Sequence, residues 1–217
     1  MGTYGIQCGV SRIADRKAEG RRFDPGPGHS MSPRIVSTLA SLALGLALLL
    51  APVAAAQPPN PLLPLVDAAA ERLQIADPVA AAKLHDGGLI QDPVREQQVL
   101  DTVAEEARTH RIDPAYVTTA FRNQIDATVA VEYARLAGWK LDPATAPADA
   151  PDLAASRATI DALNREMVAE MAGQWPALHA PSCRTDLSAA TDAVAQARGL
   201  DDLYRQALGF ATRSYCP

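Results

Sequence analysis

Glu132 is a carboxylate on what the pattern around it makes the buried side of a helix. The segment EARTHRIDPAYVTTAFRNQIDATVAVEYARL reads as one amphipathic helix. At about 100° per residue, Val117, Phe121, Ile125 and Leu136 share an apolar stripe, and Thr128 and Glu132 fall inside it. A carboxylate directed at a core is costly unless a partner holds it or a proton neutralises it. Other charges repeat the oddity. Arg72 continues the line Leu65, Ala69. Glu96 heads the line Leu100, Val103, Ala107, and Arg157 heads the line Ile160, Asn164, Met167, Met171. Lys83 follows Arg72 by eleven residues, so the two share a face if the helix continues through a kink at Pro78.

Taken singly, an arginine at the edge of a stripe snorkels to water, and Asp92 and Arg95 at a helix start read as a cap and a solvated turn. Taken together, several cations and a carboxylate converge inside a helical bundle. That arrangement suits a small, multiply anionic ligand held by charge-assisted hydrogen bonds.

The elements that must position these groups are helices. Asp77-Pro78, Asp92-Pro93 and Asp113-Pro114 each read as an N-cap aspartate before a proline at the first helical position. Helices are expected at about 62–76, 78–85, 93–110, 114–138, 153–174, 183–198 and 200–213. LDPATAPADAPD, residues 141–152, reads as a Pro-rich linker between two helical halves, 62–138 and 153–217. No alternating strand pattern occurs, so the fold class is all-α, a helical bundle.

Residues 31–56, MSPRIVSTLASLALGLALLLAPVAAA, have an early arginine, an apolar run and a closing Ala54-Ala55-Ala56. That is the pattern of a secretory signal peptide cleaved after Ala56, not of a membrane anchor. A signal begins at the start of a chain, so Met31 is the expected initiator and residues 1–30 a mis-called or disordered start. Residues 57–217 then form one domain in the cell envelope or outside the cell. They carry 14 Lys and Arg against 22 Asp and Glu, a net charge near −8, which is not the composition of a nucleic-acid binder. Cys8 precedes the signal, and Cys183 and Cys216 remain, so secretion and an even count predict one disulfide. The histidines His29, His85, His110 and His179 lack ligand spacing, and no metal site is expected.

LVDAAAERLQIADPVAAAKL, QDPVREQQVL, IDPAYVTTAFRNQIDATVAVEYARL and PDLAASRATIDALNREM together resemble the secreted class of the all-helical chorismate mutases. The likeness covers about 62–217 and includes the Cys183/Cys216 pair. It implies isomerisation of chorismate to prephenate by a pericyclic Claisen rearrangement, without a cofactor, in a homodimer. By the same resemblance, Arg72 grips a substrate carboxylate, and Lys83 contacts the ether oxygen and a carboxylate. Arg95 of the D-x-x-R segment has Asp92 as its acid and Glu96 beside it, near the ring hydroxyl. Thr128 lies near the ring carboxylate, and Glu132 is the second group at the ether oxygen. Arg157 comes from the later half of the same chain, whereas in the short intracellular class the equivalent arginine comes from the partner subunit. Intracellular bacterial members often have Gln at the position of Glu132. Gln donates a hydrogen bond at any pH, but Glu donates only when protonated. Two alternatives use the same residues: an isochorismate pyruvate-lyase on this scaffold, and a secreted helical binding protein that keeps the pocket without catalysis.

Overall fold

The computed structural model describes residues 59–149 and 151–217. The expected signal peptide, its cleavage point, Met31 and Cys8 lie outside the described residues.

Eight α-helices are present among the described residues: α1 Leu63–Gln74, α2 Ala76–Asp86, α3 Pro93–His110, α4 Pro114–Leu141, α5 Leu153–Gly173, α6 Trp175–Leu178, α7 Cys183–Ala197 and α8 Asp202–Thr212. Strands are absent among them. The longest helix, α4, runs about 42 Å at 1.5 Å per residue and forms the spine. It packs against α2, α3 and α8, while α1 packs against α5, α7 and α8, and α3 against α5. Leu65, Leu73, Phe121, Met167, Met171 and Leu208 are fully buried where these helices meet.

Helix starts follow local chemistry. Asp92 Oδ1 accepts from the Arg95 N–H, and Asp113 and Asp152 accept from N–H groups two residues on, each satisfying a donor that the first turn leaves unpaired. The Asp77-Pro78 expectation is corrected. Asp77 lies inside α2, whose N-cap is Ile75, and its carboxylate accepts from Arg135 and Tyr204 instead of capping. Pro78 still acts, one turn upstream. A proline lacks the N–H for the carbonyl four residues earlier and its ring clashes there. That carbonyl belongs to Gln74, the last residue of α1, and Ile75 alone separates α1 from α2. The expected kink between Arg72 and Lys83 therefore falls at Ile75.

Two further expectations change. Helix α4 continues three residues past 138, and the linker holds a short 3-10 turn at Pro143–Thr145. The α6 turn, begun by Trp175-Pro176, was not expected.

Cys183 at the start of α7 and Cys216 after α8 form the expected disulfide, with Cα atoms 5.8 Å apart. Arg198 at the end of α7 clamps α1: it donates to both Asp67 oxygens, to Glu71 and to Gln74. The Tyr116 hydroxyl donates to the Tyr215 carbonyl at 2.6 Å, fastening the C-terminal segment to α4. Residues 175–217 thus brace α1 and α4 from behind.

Candidate active site

All eight singled-out residues line one cavity that opens to solvent. Helix α1 supplies Arg72, α2 Lys83, α3 Arg95 and Glu96 with Asp92 at its cap, α4 Thr128 and Glu132, and α5 Arg157. Val79, Ile90, Val99, Ile125, Val129, Leu153 and Ile160 complete an apolar wall. A few converging polar groups in an apolar concavity are the usual form of a small-ligand site. No residue beyond Ile160 lines it.

Arg72 is 4% exposed. Its Nε donates to Asn164 Oδ1 at 2.7 Å and its Nη1 to Thr128 Oγ1 at 3.3 Å. Both acceptors are neutral. Among the described residues it makes no ion pair, the Coulombic pull of Asp161 and Glu132 reaching it only from farther off. Burial pushes its pKa down to about 10, so it remains a cation at neutral pH. A buried, unpaired cation is costly, and a guanidinium has five N–H donors, so Arg72 is prepared for an anion.

Lys83 Nζ donates to Glu132 Oε2 at 2.8 Å and to the Ile90 carbonyl. Their side chains are 11% and 5% exposed. Burial raises the Glu132 pKa above the ordinary carboxylate value, and the Lys83 ammonium and then Arg72 oppose that rise.

The rim arginines are paired differently. Arg95 binds the Asp161 carboxylate on α5, and Arg157 lies 3.4 Å from Asp92 Oδ2. Asp92 receives the Arg95 backbone N–H and turns its other oxygen toward Arg157. Glu96 accepts from Arg122 at 2.8 Å. The lining carries three arginines and a lysine against three carboxylates. Lys83, Arg95 and Arg157 each have a carboxylate partner, so the cation left over is Arg72, which favours an anion.

Sequence reasoning passed over four contributors. Asn164 stood on the α5 stripe, but its partner Arg72 is 92 positions away. Asp161, one turn after Arg157, carried an i, i+4 signal. Gln124 precedes Thr128 and Glu132 at the same spacing; it extends their buried polar ladder and donates to the Ala69 carbonyl. The Ile90 carbonyl had no side-chain signal at all.

Fold and site together define an all-helical protein with a cavity that holds a buried arginine beside a lysine–glutamate pair. The sequence model of the family "Chorismate mutase type II" matches residues 64–133. The chain is 62% identical over 179 residues to the secreted chorismate mutase of Mycolicibacterium smegmatis, covering 82% of this chain and 99% of that one. It is 46% identical over 189 residues to the secreted chorismate mutase of Mycobacterium tuberculosis, covering 85% and 95%. The crystal structure of chorismate mutase from Burkholderia thailandensis superposes with a TM-score of 0.69 at 33% identity, over 72% of this chain and 99% of that one. The chain belongs to the secreted chorismate mutases.

Proposed function

We propose that the protein is a secreted isomerase that converts chorismate to prephenate, its site being complete within one chain. The observation that carries the reading is the buried Arg72 guanidinium, with only neutral partners, facing the same cavity as the Lys83–Glu132 pair. One arrangement offers a carboxylate anchor and, beside it, donors for an oxygen that gains charge.

Chorismate is a dianion whose reactive conformer folds the enolpyruvyl group over the ring. Arg72 and Arg157 clamp its carboxylates, which fixes that conformer and removes much of the orientational barrier. Thr128 lies toward the ring carboxylate, and Arg95, Asp92 and Glu96 toward the ring hydroxyl. As the ether C–O bond breaks and the new C–C bond forms, negative charge grows on the ether oxygen. Lys83 and protonated Glu132 donate to it, and they bind the transition state better than the ground state. A preorganised donor of this kind contributes roughly 3–4 kcal/mol. The rearrangement is pericyclic, so no nucleophile, base or cofactor enters it.

Cleavage after Ala56 and a homodimer are part of the same reading. The N-terminal residue and the mass in solution of the exported protein test them.

The primary test is product identity. Protein exported to an oxidising compartment is given chorismate, and in parallel isochorismate. Prephenate from chorismate supports the mutase. Release of pyruvate from isochorismate, without prephenate, would make it a lyase. Binding without turnover would leave a binding protein.

A further inference from the structure

Each arginine of the cavity is held by neighbouring side chains, and the holders differ in charge. Arg157 and Arg95, on the half-open rim, are balanced by carboxylates, Asp92 and Asp161. Arg72, at the closed end, is held by the neutral amide oxygen of Asn164 and the neutral hydroxyl of Thr128. Asn164 is itself only 4% exposed and does not line the cavity. It shares one face of α5 with Arg157 and Asp161, at i+7 and i+3 from them, so a single helix face supplies one cavity arginine and the holders of the other two.

Aspartate has nearly the shape of asparagine and would accept the same Nε–H. Chain geometry therefore does not require an amide at 164; charge distinguishes the two. We infer that Asn164 is a positioning residue that fixes the Arg72 guanidinium while leaving its charge unbalanced, so that a carboxylate of the bound dianion supplies the counterion. This inference rests on the mutase reading.

Asn164→Asp separates geometry from charge. It keeps an acceptor at bonding distance and gives Arg72 an internal counterion that competes with the substrate carboxylate. Steady-state kinetics with chorismate are expected to show KM raised about 10- to 100-fold, with kcat changed far less. Calorimetric Kd for chorismate should weaken in parallel. The melting temperature is expected to hold or rise, because a buried cation gains a partner. Asn164→Ala removes the acceptor and frees the guanidinium to turn. It is expected to lower kcat/KM at least about tenfold together with the melting temperature.

A purely structural asparagine predicts the reverse for Asn164→Asp: stability lost, and KM and Kd unchanged in the folded fraction. That result would overturn the inference. So would an Asn164→Ala enzyme with parental kcat/KM. The parent protein, assayed alongside, keeps the two levels apart. A parent that neither binds nor turns over chorismate defeats the functional reading and this inference with it. An active parent with an indifferent Asn164→Asp defeats the inference alone.

Discussion

Lys83 Nζ on α2 donates to Glu132 Oε2 on α4 at 2.8 Å, and a second Nζ hydrogen is taken by the Ile90 carbonyl. An ammonium has three hydrogens, so one remains, and the two fixed bonds aim it. Lysine is a flexible point charge when unrestrained; here its direction is set by a side chain and a main-chain oxygen.

Activity should fall as pH rises. Burial raises the Glu132 pKa, Lys83 and Arg72 act against it, and a bound dianion raises it further. Glu132 can donate to the ether oxygen only below its raised pKa. Protonation favours folding with the same sign: that contribution is full below the ordinary carboxylate pKa and is lost as pH rises through the folded value. In a pH–rate profile, Glu132→Gln should flatten the alkaline decline. A variant profile that tracks the parent would remove protonated Glu132 from the mechanism.

Lys83→Ala and Cys183→Ala should fail in different ways. The first is expected to lose roughly 100- to 1000-fold in kcat with its fold intact. The second opens a loop whose closure contributes roughly 3–4 kcal/mol in the chain-entropy model. Its melting temperature should drop well below the parent's, with kcat retained where it stays folded. Equal kcat losses from both, measured below both melting transitions, would contradict the assignment.

Arg72→Met should trade function for stability. The side chains are of similar length, and the substitution removes a buried charge that has no ionic partner among the described residues. Chorismate affinity is expected to fall by at least about 100-fold, the usual scale for a desolvated charge contact. The unfolding free energy from urea titration should stay within about 1 kcal/mol of the parent or exceed it. Retained affinity would mean that Arg72 is not the anchor.

The Arg198 clamp should show in acid. Its two bonds hold the Asp67 pKa below the ordinary carboxylate value. The sign is that of a depressed acid: the stabilisation is present above the unfolded pKa and is lost as pH falls through the folded one. The acids are half exposed, so screening keeps the effect near 1 kcal/mol, about 2–4 °C in melting temperature. Arg198→Met should show that deficit at pH 7 and lose most of it near pH 3. A deficit independent of pH would point to lost packing of the arginine stem.

Much of the cavity was legible because charge is conspicuous on an apolar stripe. Arg72, Thr128 and Glu132 could be placed by helical spacing alone, and they are buried. Starts were legible where an aspartate cap closes on its own first turn, as at Asp92 and Asp113. The same dipeptide misled at Asp77-Pro78, because the chain is already helical there and distant Arg135 and Tyr204 claim the carboxylate. Pairings across the bundle were not legible. Whether Arg95 meets Asp92 or Asp161 depends on how α3 lies on α5, which no local pattern encodes.

The connection between α4 and α5 joins two sets of cavity groups, with Arg157 just beyond it. That connection is a tether. It holds the two sets at an effective concentration that dilution cannot lower. A cavity shared between subunits empties of competent sites once the protein falls below its dimerisation constant. On the reading proposed above, in which one chain supplies the whole site, a molecule released into a large volume carries that site with it.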